Sequence, residues 1–215
     1  MNKRLETIYQ SLAPCKKLAD VGCDHGYIAD AMLSRGKAER AVISDISAPS
    51  LKKAADLLER NHPGRYTAVV CDGLKGVDSD CDQVLIAGMG GEEIISILEG
   101  APFVPERLVL QPMKNADKLR KRLLSLGYRI LKDYLFIDVK YYNLIVCERG
   151  EDCYTEDEIF FGRDNLRQRP EDFIRFAEQE REKYAELLKS PDLSDRVRDE
   201  LTRIKNKYEA ILNEV

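Results

Sequence analysis

The 215-residue chain has two histidines and no Cys-x-x-Cys pair among its six cysteines, Cys15, Cys23, Cys71, Cys81, Cys147 and Cys153. That pattern suggests neither a zinc site nor a disulfide framework, so no metal is expected and the thiols are expected to be reduced, as in a cytoplasm. No stretch approaches 18 consecutive apolar residues, and no bilayer-spanning segment is expected. The opening MNKRLETIYQSLAPC lacks the apolar run of a signal peptide. A strong excess of one charge is also missing: 34 basic side chains stand against 38 acidic ones, for a formal charge of -4. A chain coated in positive charge is therefore excluded, and any nucleic-acid site must be a local patch. What is present is 44% hydrophobic and 33% charged, enough apolar material for a core and too much for wholesale disorder.

Residues 18–149 alternate short apolar runs with longer amphipathic stretches. The runs are KLADVG (17–22), RAVISDI (40–46), YTAVVCDG (66–73), QVLIAGMGG (83–91) and RLVLQPM (107–113). Helix-like segments lie between them, from Tyr27 to Ser34, Pro49 to Arg60, Glu92 to Glu99 and Asn115 to Ser125. Strands alternating with helices predict an α/β fold, a parallel sheet with helices on both faces. After Gly127 two β-rich runs, 128–138 and 140–150, follow with no room for a helix between them, so they must pair antiparallel. Five parallel strands closed by an antiparallel hairpin make a particular variant of the doubly wound family, distinct from the six-parallel-strand NAD-binding form.

From Glu151 the chain reads as helix. Thr155 and Glu158 form a capping box, and Tyr154 can staple onto Ile159. Pro170 suits the first position of a renewed helix through Phe173, Ala177, Tyr184 and Leu187. KSPDLSD (189–195) breaks it, and Val197, Leu201, Ile204, Tyr208, Ile211 and Val215 mark a coiled-coil seam on a last helix. The division expected is a domain of residues 1–150 and a helical hairpin of 151–215, closing within one chain or between two, with a monomer favoured. Charge follows that division: residues 1–150 hold 22 basic and 20 acidic side chains, and 151–215 hold 12 and 18.

The first run ends in DVGCDHG, Asp20 to Gly26, and leads into a helix. Such a junction places backbone N–H groups and a positive helix end at the ligand crevice. The G-x-G-x-x-G spacing that admits a pyrophosphate is absent. Instead Asp20, Gly22, Cys23, Asp24 and Gly26 place two carboxylates in the loop. These repel phosphates and suit a ligand with an amine, hydroxyls or a positive centre; S-adenosylmethionine has all three. The alternative is a tight turn whose acids only cap the helix. Further polar and glycine positions stand at successive strand ends. Asp45 and Ile46 end the second strand, where an acid accepts from ribose hydroxyls; Asp72 and Gly73 end the third, suiting an adenine amine; Ala87, Gly88 and Met89 end the fourth, where glycine allows close approach.

ADVGCDHGYIAD, SDI, CDGL, IAGMGG, LQPMKN, FFGRDN and KYYNLIVCE together resemble the TrmK family of bacterial tRNA (adenine-N1)-methyltransferases, which act at position 22. The resemblance covers nearly the whole chain. The family usually carries Ser-Asp-His-Ala in its first loop, where this chain has Cys23 and Gly26 at the ends of the tetrad. It implies a Rossmann-like class I methyltransferase fold with a seven-stranded sheet, S-adenosylmethionine as cofactor and tRNA as substrate.

Adenine N1 has an in-plane lone pair, so the reaction depends on in-line positioning more than on a base. The DPPY-like tetrad of amino-group methyltransferases is replaced by AGMGG, and no cysteine nucleophile follows the fourth or fifth strand; both absences favour a ring nitrogen. His25 and Tyr27 are the candidates nearest the transferred methyl, with Gln111 and Asn115 flanking the mouth. His25 could equally be structural, and Tyr27 could stack on the base or pack beneath it. For tRNA phosphates the candidates are Lys114, Lys118, Arg120, Lys121, Arg122 and Arg129, set against the single acid Asp117, with Arg163 and Arg167 beyond. The plainer reading of that stretch is a solvated helix face. Rival functions are a methyltransferase of the same fold acting on another RNA base or a small molecule, and a binding module that keeps the cleft without catalysis. A nicotinamide enzyme is the weakest fit.

Overall fold

The computed structural model describes residues 1–213; Val215, the last seam position expected above, lies outside them. The first unit of the chain, Met1–Arg163, begins with a helix that the sequence reading does not assign, α1 (Lys3–Ser11), capped by Asn2, whose side chain accepts from the backbone of Leu5. Then follow β1 (Cys15–Val21), α2 (Tyr27–Ser34), β2 (Ala38–Asp45), α3 (Ala48–Asn61), β3 (Tyr66–Val70), β4 (Gln83–Met89) and α4 (Gly91–Glu99). Next come β5 (Arg107–Pro112), α5 (Ala116–Ser125), β6 (Tyr128–Ile137), β7 (Tyr141–Arg149) and α6 (Glu156–Phe161).

The seven strands form one sheet in the order β3-β2-β1-β4-β5-β7-β6. β1 pairs parallel with both β2 and β4, and β7 runs antiparallel to β5 and to β6. The antiparallel closing hairpin is thus the one expected. Its position is set by β7 inserting between β5 and β6. The chain leaves β1 in one direction for β2 and returns to its other side for β4, so the strand order reverses there and a crevice opens at the carboxyl ends.

Near-continuous apolar runs on β1, β4 and β5 are buried on both faces, as a parallel sheet requires. On one face Ile8 and Leu12, Ile28 and Met32, and Leu51 and Leu58 bring α1, α2 and α3 onto the strands. On the other, Ile94 and Leu98 of α4 meet Leu119 and Leu123 of α5. α6 belongs to this first unit: Thr155 and Glu158 form the expected capping box, and the Arg120 guanidinium donates to the carbonyls of Ile159 (3.2 Å) and Phe160 (3.4 Å) at its end.

The second unit starts at Asp164. It comprises most of α7 (Arg163–Gln168), then α8 (Glu171–Leu187) and α9 (Asp195–Asn213). Arg169, at φ 47°, separates α7 from α8, whose cap is Pro170. α8 and α9 pair antiparallel: Tyr208 meets Phe176 edge-on at 6.2 Å and stacks with Tyr184 at 6.1 Å, and Arg169 donates to the carbonyl of Ile211. Tyr208 and Ile211 are buried, whereas Val197 is exposed, so the apolar face of α9 is covered at its distal part and not at its start.

Candidate functional site

A cleft of about 610 Å³ occupies the crevice at the carboxyl ends of β1, β2 and β4. Its floor is the loop after β1. Gly22, Asp24 and Gly26 take φ of 68°, 47° and 70°, a left-handed sequence that glycine adopts without penalty and Asp tolerates. The loop is pinned to β2 by Gly22 N–H and Cys23 N–H, which both donate to the Ser44 carbonyl at 2.8 and 3.1 Å. Gly26 does not line the cleft; it lies behind the loop, where an added Cβ would meet the Ala54 methyl at 2.8 Å.

Two carboxylates organise the centre. Asp45 accepts from the backbone of Ser47 at 2.8 Å and of Asp24 at 3.4 Å, so one side chain ties the two loops together. Asp20 is only 5% exposed. Burial pushes its carboxyl up to about 7, against a hydrogen bond from Ala29 N–H, and the nearby charge of Asp45 pushes the same way. Burial also raises the Cys23 thiol, helped by Asp20 and Asp45. Cys23 is therefore held as a neutral thiol, a small lining group and not a nucleophile.

The outer rim is more open. Ile46, 73% exposed, and Gly73 lie toward β3, where Asp72 pairs with Lys75 at 2.6 Å. At the other side Asp24 bonds His25 Nδ1 at 2.8 Å, and the His25 ring stacks on Tyr27 at 5.4 Å with 7° between planes. Tyr27 is 51% exposed. Ala87, Gly88 and Met89 complete the wall, and the Met89 methyl lies 2.0 Å from where a Gly22 Cβ would stand. Beyond Met89, Gly91 N–H donates to the Lys114 carbonyl at 2.9 Å, and an added Cβ there would sit 2.3 Å from the Asn115 carbonyl oxygen. Gly91→Ala must separate the turns after β4 and β5, and its expected cost is roughly 2–4 kcal/mol. Urea unfolding checks this; an unchanged midpoint would show that the turns separate without strain.

The structure brings all the proposed cofactor positions except Gly26 to one cleft, together with His25 and Tyr27. Gln111 and Asn115 do not line it. Gln111 is fully buried; its Oε1 accepts from Arg4 Nε at 2.7 Å, and its Nε2 donates to the Pro112 carbonyl and Met113 Sδ. Asn115 is the N-cap residue of α5 at φ 57°, and its side chain makes no capping hydrogen bond. The basic stretch also needs correction. Arg120 is 1% exposed, with Nε forked onto the Asp133 carboxylate at 2.9 Å, so it cannot meet phosphate. Arg163 is enclosed by Asp152, Glu158 and the Tyr154 ring. Lys118, Arg122 and Arg129 pair with Glu92, Glu99 and Glu148. Lys114 and Lys121 are exposed and form no ion pair among the described residues, and Arg167 is exposed on α7.

Sequence reasoning missed the contribution of α1. Asn2, Arg4, Leu5 and Ile8 all line the cleft, and the signal was there in a capping Asn followed by apolar residues at 5, 8, 9 and 12. It also missed Glu93, Ser96 and Ile97 of α4.

A sheet in this order, with a glycine loop after β1 and acids at the next strand ends, defines a class I methyltransferase domain, and the methyltransferase-domain family profile matches residues 1–145. The chain is 30% identical to the tRNA (adenine(22)-N(1))-methyltransferase of Bacillus subtilis over 157 residues, which is 70% of this chain and 66% of that protein's length. It is 31% identical to a candidate tRNA methyltransferase of Mycoplasma pneumoniae over 170 residues, 75% of this chain and 79% of that one. The fold superposes with TM-score 0.90, at 26% identity and 99% coverage of both chains, on a Streptococcus pneumoniae candidate tRNA (m1A22) methyltransferase solved with S-adenosyl-L-methionine. Within the methyltransferase class the chain belongs to the TrmK family of bacterial tRNA methyltransferases.

Proposed function

We propose that this chain transfers the methyl group of S-adenosylmethionine to N1 of adenine 22 in tRNA. The observation that carries this reading is the cleft itself, in which acids stand at the ends of three consecutive strands around a glycine loop, in a chain related to the Bacillus enzyme. Asp45, at the end of β2, suits the ribose hydroxyls; Ile46 covers an adenine face; Asp72 suits the adenine amine. S-adenosylmethionine supplies an electrophilic methyl on a sulfonium when bound. A tRNA substrate supports a cytoplasmic location.

N1 attacks with its own lone pair, and no group has to remove a proton beforehand. The protein's task is to hold the base in line and to keep water and competing rings out. The exposed Tyr27 ring, backed by His25, is a flat platform at the rim on which a flipped adenine can stack. The methylated ring is cationic, and the Asp24 carboxylate beside His25 is placed to offset that charge.

The test is incubation of the chain with unmodified tRNA and S-adenosylmethionine, followed by mass mapping of the nucleosides. N1-methyladenosine at position 22 is expected. Methylation of another base, of a metabolite only, or of nothing despite cofactor binding would overturn the reading in favour of its rivals.

For the phosphate contacts the exposed Lys114 and Lys121, beside and on α5, are the candidates that form no ion pair among the described residues. Lys114→Glu combined with Lys121→Glu is expected to weaken tRNA binding and to flatten the dependence of log affinity on log salt by about two. S-adenosylmethionine affinity should not move. An unchanged slope in a salt titration removes this helix from the RNA surface.

A further inference from the structure

The cleft has an imbalance that the cofactor contacts above do not resolve. Asp20, Asp24, Asp45, Asp72 and Glu93 all line it, yet Arg4 is the only lysine or arginine among its lining residues. Five carboxylates suit the ammonium and hydroxyls of S-adenosylmethionine but leave its own carboxylate without a counter-charge.

Arg4 is built into place. Its backbone N–H donates to Asp138 Oδ2 at 3.0 Å, fastening the first turn of α1 to the connection between β6 and β7. Its Nε donates to Gln111 Oε1 at 2.7 Å, and the guanidinium carbon stands 5.4 Å from the Tyr142 ring centroid. The terminal Nη2 is 3.1 Å from where a Cβ on Gly88 would be, so that glycine leaves room for the guanidinium edge. No carboxylate pairs with the guanidinium among the described residues. Gln111 is buried with its amide fully engaged, which fixes the direction in which Arg4 points.

Sheet order gives the direction of the ligand. The adenosine end belongs over β2 and β3, where Asp45, Ile46 and Asp72 lie, so the amino-acid end must extend toward β4 and β5. Arg4 is the cation waiting there, over Gly88 of β4 and Gln111 of β5. We infer that Arg4, aimed by Gln111 as a positioning residue, binds the carboxylate of the methionine portion of S-adenosylmethionine, so that α1 completes the cofactor site. The inference rests on the cofactor reading above and adds a residue to it.

The experiment is calorimetric titration with two probes: S-adenosyl-L-homocysteine, and the same molecule decarboxylated. Wild-type chain should prefer the carboxylated probe. Arg4→Ala should lose about tenfold or more on that probe while its affinity for the decarboxylated one stays within about twofold, so the preference collapses. The second probe also reports folding, because a collapsed cleft would lose both. Arg4→Lys, which keeps the charge without the fork onto Gln111, should retain part of the preference, and Gln111→Met should lower it. An unchanged preference in Arg4→Ala, or an equal loss on both probes in a variant whose thermal melt matches wild type, overturns the inference alone. Unchanged binding of both probes with weakened tRNA binding would overturn it by making Arg4 an RNA-phosphate contact. Wild-type chain that binds neither probe overturns the cofactor reading as well.

Discussion

Asp20→Asn is expected to make the ligand-free protein more stable at pH 8 and to weaken its hold on S-adenosylmethionine by roughly 10- to 100-fold. Both effects follow from one buried carboxyl. Its ordinary value of 3.8 is pushed up to about 7 by burial and by the charge of Asp45, so the folded chain binds this proton more tightly than the unfolded chain does. The stability contributed by Asp20 is therefore fully present below 3.8 and is lost as pH rises toward 7. At pH 8 the ionised group costs the apo fold on the order of 2–4 kcal/mol. Asn keeps an acceptor for Ala29 N–H and carries no charge, so the cost disappears. We propose that ionised Asp20 is an ionic partner of the cofactor's ammonium, and without its charge that contact is lost. Thermal melts of both forms at pH 5 and pH 8 check the first effect: the gap should be wide at pH 8 and narrow at pH 5. A variant less stable than wild type at pH 8 would show that Asp20 is stabilising when ionised. In wild type the same coupling predicts proton release on cofactor binding between pH 5 and 7, readable by titration in buffers of different ionisation enthalpy.

This trade between stability and binding was partly legible in the sequence because its parts are local. Asp20, Gly22 and Asp24 sit within five residues, and an apolar run before them fixes where the strand ends. Asp45 and Asp72 terminate runs of the same kind, so parallel pairing alone puts them on one edge. The closing hairpin was legible for a similar reason, since a connection too short for a helix forces antiparallel pairing. What escaped was set by distant partners. Gln111 reads as a polar residue at a strand end near the mouth, but β5 is covered on both faces and its amide turns to Arg4, 107 residues earlier. Arg4 in turn lies in a nine-residue helix that has no role until the sheet exists.

Arg120 is the instructive error. It was read with its basic neighbours, yet Ala116, Leu119, Arg120 and Leu123 are the buried stripe of α5, at the i, i+3, i+4, i+7 spacing. A charge on that stripe announces a buried partner. The partner was hidden because the register of β6 against β7 shifts between Ile130 and Lys132. That irregularity reverses the alternation of the strand and turns Asp133 inward where simple alternation with buried Ile130 would turn it out. Only the pairing of the two strands reveals it.

Arg120→Ala is consequently expected to be among the most damaging single changes in the first unit. Arg120 and Asp133 are both about 1% exposed. Truncation removes the fork at 2.9 Å, the bond to Asn143 at 3.0 Å and both Nη1 bonds to the carbonyls at the end of α6. It leaves a desolvated carboxylate without its cation, a loss of about 3–5 kcal/mol. For a unit of this size that lowers the melting temperature by roughly 6–20 °C. The double change Arg120→Met with Asp133→Leu should recover part of the loss, because it removes both charges and refills the space with apolar side chains. Salt separates this pair from the surface ones: the difference between wild type and Arg120→Ala should persist at high ionic strength, whereas any contribution from Lys118 with Glu92 should fade. At a temperature where the variant is folded, its tRNA affinity per folded molecule should match wild type. A stable Arg120→Ala protein with weakened RNA binding would return this side chain to the RNA surface and contradict the burial on which the argument stands.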